Sequence, residues 1–459
     1  MQDNISRVHF IAIGGSVMHD LALHLHEKGL KVSGSDDEIY DPAKSALASK
    51  GLLPKSFGWF PEKITQDIDA IILGMHARPD NPELAAAKEQ GLKIYSYPEY
   101  IYEQSKEKQR IVIGGSHGKT TITSMILHVL QELGRDEFDY VIGARTSTVD
   151  GLVKLSDAPI IIIEGDEYLT SPVDHSPKFL KYHHHIGLIS GIAWDHYNVF
   201  PTLDDYVKQF EMFADASPKA GSLIYCEEDD LATVICRKER PDVNRIEYRA
   251  HPHKVVDGQT YLETDFGEVP IRLFGYHNMQ NLSAAMEVCT RIGVTTKDFY
   301  QAVASFGGAS KRLELIAKSE HTAVYKDFAH APSKLQATTR AVKEQYTDRQ
   351  LVACMELHTF SSLNREFVGQ YSDTLNDADL GVVYHNPDVS RHKKLEPLND
   401  EIIQQAFNRS DIKVFTNTQS LQDFLQSENW ANKNLLLMSS GNYGGMDLDS
   451  FGKSIVENQ

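Results

Sequence analysis

Cysteine is scarce in this chain. Its four residues of this type, Cys226, Cys236, Cys289 and Cys354, show neither CxxC spacing nor the density of a disulfide-stapled scaffold. They read as reduced, buried thiols, and a cytoplasmic protein is expected. Long apolar runs are missing too: no uninterrupted stretch approaches the ~20 residues that a membrane-spanning helix needs, so no membrane partner is expected. The opening MQDNISRVHF enters a strand-like run at once, without the basic segment and long apolar segment of a secretory leader. Basic residues are outnumbered, 46 Lys and Arg against 64 Asp and Glu, for a formal net charge of −18. That excludes a broad nucleic-acid footprint, which needs a basic face. Anionic small molecules stay open, because loop amides, Mg²⁺ and a few placed cations can hold them on an acidic protein. Short repeats and low-complexity tracts are also absent. What remains, 41% apolar and 24% charged residues over 459 positions, suits a globular protein of about three domains.

The octapeptide at 114–121, GGSHGKTT, follows the apolar run 110–113 and opens a helical stretch at 121–133. Strand, glycine loop and helix in this order cradle a nucleotide phosphate. Gly115, Ser116, His117 and Gly118 let backbone N–H groups converge on the anion, and the helix N-terminus adds the positive end of its dipole. Lys119 can then reach the β- and γ-phosphates, and the Thr120 hydroxyl, followed by Thr121, can bind Mg²⁺. The first glycine of the general spacing would fall at Ile113, so a plain glycine turn before a core helix is the competing reading.

Residues 1–108 alternate strand and helix: strand 8–13, helix 18–28, strand 31–35 and a later strand at 71–74. Gly14, Gly15 and Ser16 follow the first strand, and Ser35 and Asp36 end the second. A glycine turn with a carboxylate roughly 20 residues further on is the layout of a nucleotide-binding βαβ unit, the acid lying near a ribose or base. Ala12 and Val17 occupy the outer glycine positions of the dinucleotide pattern, which favours another nucleotide, such as a UDP group, over a dinucleotide cofactor. The polar stretch 103–109, EQSKEKQ, lacks apolar periodicity and reads as a linker. Beyond it, strands are expected at 160–163 and 186–189, with helices at 203–213 and 279–292. A third alternating segment runs from about 314, with strands at 322–327, 351–355, 380–384 and 435–438 and a helix at 332–345. All three segments look α/β and dominated by parallel sheet.

Several short motifs sit where such sheets bind ligands, beyond the carboxyl ends of strands. Glu164, Asp166 and Glu167 follow the run 159–163, and hard carboxylate oxygens there suit Mg²⁺. His196, in AWDH, ends the strand expected at 186–192 and could join Glu164 around a metal or phosphate. The triplet His183 to His185 lacks a second ligand cluster nearby and reads as structural. His277, Asn278 and Asn281 open a helix. Asn278 suits an N-cap, while Asn281 one turn on could bond an adenine edge. Arg312 offers a guanidinium that could clamp a phosphate, a solvated basic pair with Lys311 being the alternative. Asp327 could cap the following helix or hold a ribose, and His330 could face the reaction centre.

Taken in order, GGSHGKTT, EGDE, Asp195-His196, HNMQN, KRLE and KDFAHAPS resemble the Mur ligase family, the ATP-dependent amide ligases of bacterial peptidoglycan, over essentially the whole chain. The resemblance implies three domains: 1–108, Rossmann-like and binding UDP-N-acetylmuramate; 109–313, a P-loop ATPase-like centre for ATP and Mg²⁺; and 314–459, Rossmann-like, taking the incoming amine and closing onto ATP. It implies that Lys119 neutralises the transferring phosphate, that Thr120 and Glu164 hold Mg²⁺ and that His196 supports a second metal. His277, Asn278 and Asn281 would then meet adenine, and Arg312 and Asp327 phosphate and ribose, in an ADP-forming ligase. Phe328-Ala329-His330 and the stretch 440–445, SGNYGG, resemble the family's tripeptide-adding recycling ligase, with the L-alanine-adding ligase as the alternative. The pattern departs at Lys326, Ala331 and Glu356 to His358. A carbamylated lysine, which some members carry beyond the metal histidine, is not expected, Lys208 being a distant candidate. An NAD-type oxidoreductase and a non-catalytic sugar-nucleotide sensor are readings of a different class. Neither requires GKT followed by EGDE.

Overall fold

Strands buried on both faces are written as near-continuous Val and Ile, and helices laid over them as apolar stripes, and this is how the chain folds. The computed structural model describes residues 5–146, 148–256, 258–310 and 312–457. They divide into two compact units, one up to Ile192 together with Val207–Tyr248, the other Ala193–Tyr206 together with the residues from Arg249 on. Among the described residues no helix is long and apolar enough to cross a membrane.

Among its described residues the first unit holds two large sheets and a two-stranded antiparallel pair, Leu169–Ser171 with Asp174–Pro177. A four-stranded parallel sheet runs in the order Lys31–Ser35, Arg7–Ile11, Ala70–Leu73, Ile94–Ser96. Its first strand stops at Ile11 because Ala12 turns to φ 67°, and the helix Ser16–Glu27 starts earlier than its apolar stripe suggests. The second sheet has seven strands in the order Asn244–Tyr248, Ser222–Cys226, Ile186–Ile189, Gln109–Gly114, Ile160–Glu164, Phe138–Val141, Val153–Lys154. All pair in parallel except the last, which runs antiparallel to Phe138–Val141. The strand that feeds the glycine loop lies at its centre, with Ile113 opposite Glu164 and Gly114 opposite Ile189. One register thus brings three strand ends to one edge.

The second unit carries a six-stranded sheet in the order Glu314–Lys318, Ala323–Asp327, Lys433–Met438, Gln350–Leu357, Leu380–His385, Lys413–Phe415. Here only Glu314–Lys318 is antiparallel. The helix Pro332–Gln345 covers one face with Leu335, Ala341 and Val342, against Tyr325, Leu351 and Met355. The α/β character expected from the sequence holds. The expected dominance of parallel sheet holds as well, and beside it stands a three-stranded antiparallel sheet that the sequence reading did not place, His253–Val256, Gln259–Thr264 and Gly267–Ile271. Its signal was present: Asp265-Phe266-Gly267 turns the chain with Gly267 at φ 99° between short, half-polar strands.

The polar stretch 103–109 is not an extended linker. Glu103 and Gln104 complete the helix Tyr97–Gln104, whose capping box joins Ser96 and Glu99, and Gln109 already belongs to the next strand. Lys108 is 8% exposed and donates to Asp139 Oδ2 at 2.7 Å, and to the Ser156 and Ala158 carbonyls. Asp139, fully buried, also accepts from Ser156 N and Oγ. Lys108→Met should therefore leave an uncompensated buried carboxylate and cost about 3–5 kcal/mol, lowering the urea midpoint. The double variant with Asp139→Leu should recover most of that loss, and an equal loss in both would show that the pair is not coupled.

Candidate active site

The glycine loop is shaped by what its backbone must avoid. Gly115 sits at φ 127°, and a Cβ there would lie 2.1 Å from Ser190 Oγ, so no larger residue fits. Gly118, at φ 73°, precedes the helix Lys119–Glu132, whose 14 residues begin with Lys119, Thr120 and Thr121. Ser116, Thr120 and Thr121 are buried. Ser116 N is spent on Gly191 O at 2.9 Å, and the loop delivers the helix N-terminus to the strand-end edge, an arrangement that suits an anion.

Two carboxylates meet it there. Thr120 Oγ1 donates to Glu164 Oε1 at 2.7 Å, and Gly143 N donates to Glu164 Oε2 at 2.8 Å. Lys119 Nζ donates to Gly115 O at 2.6 Å and to Glu167 Oε2 at 2.7 Å. Burial alone would lower the Lys119 pKa. Glu167, Asp166 and Glu164 outweigh it and raise the pKa, so the ammonium stays charged. Lys178 pairs with Asp166 at 2.6 Å and, against the effect of burial, holds that carboxyl below its ordinary range. A hydroxyl and a carboxylate side by side at a strand edge are hard oxygen donors, and they fit a Mg²⁺ ion.

The four-stranded sheet gathers its own motif residues. Ile11 pairs with Ser35, so the glycine turn and the end of the second strand are neighbours. Gly14 N donates to Asp36 Oδ2 at 2.7 Å, and a Cβ on Gly14 would stand 2.9 Å from that oxygen. Gly15 is the N-cap of a helix whose first residue is Ser16. Lys63 Nζ reaches the Oγ of fully buried Ser35 at 3.0 Å. Asp36 is 4% exposed, and burial, reinforced by Asp37, raises its pKa to about 6.

In the second unit His196 stands at φ 57°, its N–H held by Asp195 Oδ1 at 2.8 Å. Asp195 Oδ2 pairs with Lys334 at 3.0 Å. Burial opposes ionisation, but Lys334, His196 and His330 drive this carboxyl far below its ordinary range. Burial, with Lys334 adding, lowers His330 to about 4, so its ring is neutral at pH 7. Its Nδ1 faces the Phe328 carbonyl at 2.8 Å; that nitrogen is the donor, and Nε2 keeps a lone pair. Asp327 does not cap the helix Pro332–Gln345. Its carboxylate accepts from Leu313 N and Ala329 N, both at 2.6 Å, and burial raises its pKa. Arg312 is not simply a solvated cation, since its guanidinium lies over the Phe328 ring at 4.8 Å. Nor is Asn278 an N-cap: Gly275 takes that place, and Asn278 donates back to Phe274 O at 2.9 Å. Asn281 follows on the same face, 3.3 Å from Asn278 Oδ1, and half-buried His277 opens the turn. The histidine triplet is structural: His184 is buried against Phe213 and bonds Ser217 Oγ at 2.9 Å.

Three family descriptions match in the same order as these sites: "Mur ligase family, catalytic domain" over residues 7–109, "Mur ligase middle domain" over 113–289, and "Mur ligase, glutamate ligase domain" over 311–441. The UDP-N-acetylmuramate–L-alanine ligase of Lactobacillus acidophilus is 31% identical over 399 residues, covering 83% of this chain and 85% of that protein. The chain belongs to the Mur ligase family. The enzyme of the same name from Carboxydothermus hydrogenoformans is 28% identical and covers 97% of this chain and 96% of its own. Two solved structures share the fold over 98% of both chains. They are the murein peptide ligase of Psychrobacter arcticus, with TM-score 0.65 at 21% identity, and the UDP-N-acetylmuramate–alanine ligase of Thermotoga maritima, with 0.69 at 20%. This Mur ligase is thus an ATP-dependent ligase of peptidoglycan synthesis, and the oxidoreductase and sensor readings fall away.

The sequence placed weight on Glu164 and His196 and offered Asp166 and Glu167 as Mg²⁺ donors, but gave no sign of three ion pairs beside them. Glu167 grips Lys119, Lys178 neutralises Asp166, and Lys334 neutralises Asp195. No local spacing signals them: Lys119 lies 48 residues from Glu167, Lys178 12 from Asp166 and Lys334 139 from Asp195. Lys119→Ala should leave the fold intact by circular dichroism and lower ligation on the order of 10²-fold or more, as for loss of one preorganised charge stabiliser. Near-wild-type turnover would remove Lys119 from the chemistry.

Proposed function

We propose that this Mur ligase joins the carboxylate of UDP-N-acetylmuramate to the amino group of a murein tripeptide, forming ADP and phosphate, in the cytoplasm. The observation that carries the nucleotide half is the contact of Thr120 with Glu164 beside the glycine loop, with Lys119 held charged by Glu167. Residues 1–108 take the sugar nucleotide at Gly14, Gly15, Ser16, Ser35 and Asp36. Residues 109–313 take ATP on 115–121, with adenine against His277, Asn278 and Asn281. Residues 314–459 take the amine, while Arg312 and Asp327 serve phosphate and ribose.

A carboxylate is a poor electrophile, so its oxygen first attacks the γ-phosphorus and ADP leaves. The amine nitrogen then attacks the acyl carbon, giving a tetrahedral species that expels phosphate as the nitrogen loses a proton. Thr120 and Glu164 would hold Mg²⁺, which when bound neutralises charge spread over the transferring phosphoryl group, and His196 would support a second metal. Lys119 adds a fixed positive charge, and the loop amides orient the phosphate chain. His330, neutral with an open Nε2, can accept a hydrogen bond from the attacking amine and aim its lone pair.

The tripeptide is favoured by Phe328-Ala329-His330 and SGNYGG at 440–445, and by remote carboxylates whose binding energy could orient the amine. The L-alanine reading is favoured by the names of the curated relatives. Phosphate release with UDP-N-acetylmuramate, ATP and Mg²⁺ should show a much higher kcat/KM for L-Ala-γ-D-Glu-meso-diaminopimelate than for L-alanine. The reverse order would assign the L-alanine activity.

Asp36 predicts a pH dependence. Its carboxylate must be ionised to accept a hydrogen bond from the nucleotide, so affinity should be flat above about pH 6 and fall by up to about tenfold per unit below it. Folding responds with the opposite sign: an acid whose pKa is raised by burial loses stability as pH rises from its unfolded value towards 6. Calorimetric titration with UDP-N-acetylmuramate between pH 5 and 8 checks the first statement. Asp36→Asn should flatten the profile, and a wild-type profile already flat would place Asp36 outside the site.

A further inference from the structure

UDP-N-acetylmuramate carries two phosphates and a carboxylate, yet at the edge of the four-stranded sheet Gly14, Gly15, Ser16, Ser35 and Asp36 bring one acid and no cation of their own. Lys63 stands on the Ser35 side of that edge. On the other side the helix Ser16–Glu27 buries Asp20, which is 6% exposed. A buried carboxylate needs partners, and two groups donate to Asp20. Leu152 N donates to Oδ2 at 2.7 Å and Arg145 Nη2 to Oδ1 at 3.2 Å, while His19 Nε2 stands 3.2 Å from Oδ1 without a hydrogen bond. His19 Nδ1 in turn lies 2.9 Å from the carbonyl of Gly15 in the glycine turn.

Arg145 is tied in the other direction as well. It stands two residues beyond Gly143, whose N–H is held by Glu164, the carboxylate that meets Thr120. Its side chain nevertheless remains 52% exposed, with one contact to Asp20, so most of its planar donor fork can still receive an anion bidentately. Nucleotide phosphates would lie at the glycine turn and the γ-phosphate beside Thr120. The carboxylate that attacks the γ-phosphorus must lie between them, where Arg145 is held.

We infer that Arg145, braced by the buried Asp20, receives the lactyl carboxylate of UDP-N-acetylmuramate and selects that nucleotide over its analogue without the lactyl group. The inference rests on the sugar-nucleotide reading of the four-stranded sheet. Asp20 is then a positioning residue: it fixes the guanidinium and touches no substrate.

The test is calorimetric titration without ATP, using UDP-N-acetylmuramate and UDP-N-acetylglucosamine, which lacks the carboxylate. The wild-type chain should prefer the first by about tenfold or more, the worth of one charge-assisted contact. Arg145→Gln should bring the two affinities within about twofold by weakening only the first, and Arg145→Lys should keep part of the preference. Asp20→Asn should fall between wild type and Arg145→Gln, with UDP-N-acetylglucosamine binding unchanged. Equal weakening of both nucleotides by Arg145→Gln would assign Arg145 to the diphosphate, and no change in either would remove it from the site; both overturn the inference. Wild-type protein that binds neither nucleotide would overturn the sugar-nucleotide reading itself. Circular dichroism checks each variant's fold, and Arg145→Lys carries the test if Arg145→Gln fails to fold.

Discussion

The site depends on one register. Pairing Ile113 with Glu164 across two parallel strands sets the glycine loop beside a carboxylate, and the contact of Thr120 with Glu164 follows from it. A slip by one residue would turn Glu164 to the opposite face of the sheet and leave the Thr120 hydroxyl without it. Strands buried on both faces resist such a slip, because their length and their neighbours allow few alternative pairings. The apolar run 160–163 is therefore as necessary to the chemistry as the acid that ends it.

An acidic protein that handles anionic substrates must ration its positive charge. Here the cations near the motif residues are individually placed and paired. Lys119 lies against Glu167, Lys178 against Asp166, Lys334 against Asp195, and Arg145 against Asp20. Each pairing fixes the position of an ammonium or guanidinium before any ligand arrives. Such preorganisation is what phosphoryl transfer asks of a protein, since the reaction needs little besides positioning and electrostatic stabilisation. His330 shows the complementary case. Burial beside Lys334 keeps its ring neutral, so it offers a lone pair where a charged ring could not.

Much of this was legible along the chain, because it is written in local patterns. The strand, loop and helix around 114–121, the glycine turn at 14–16 and the strand-end acids each combine a short spacing with a change of periodicity. Both survive any tertiary arrangement that keeps a parallel sheet. Readings that failed concerned which of several available partners a side chain takes. Asn278 looked like a cap until Gly275 took the cap, and Asp327 looked like a cap until its oxygens were occupied by Leu313 and Ala329. The polar stretch 103–109 looked solvated until Lys108 found Asp139, 31 residues on.

The sequence by itself determined the α/β class and the family, because alternating periodicity and short motifs are each patterns of neighbouring residues. Tertiary structure alone decided which charges meet. The pairs Asp195 with Lys334, Lys119 with Glu167 and Asp20 with Arg145 span 139, 48 and 125 residues. Such distances are closed by strand order and helix packing, and no spacing rule along the chain reports them, because a hydrogen bond depends on where two atoms lie and not on how far apart their residues are numbered.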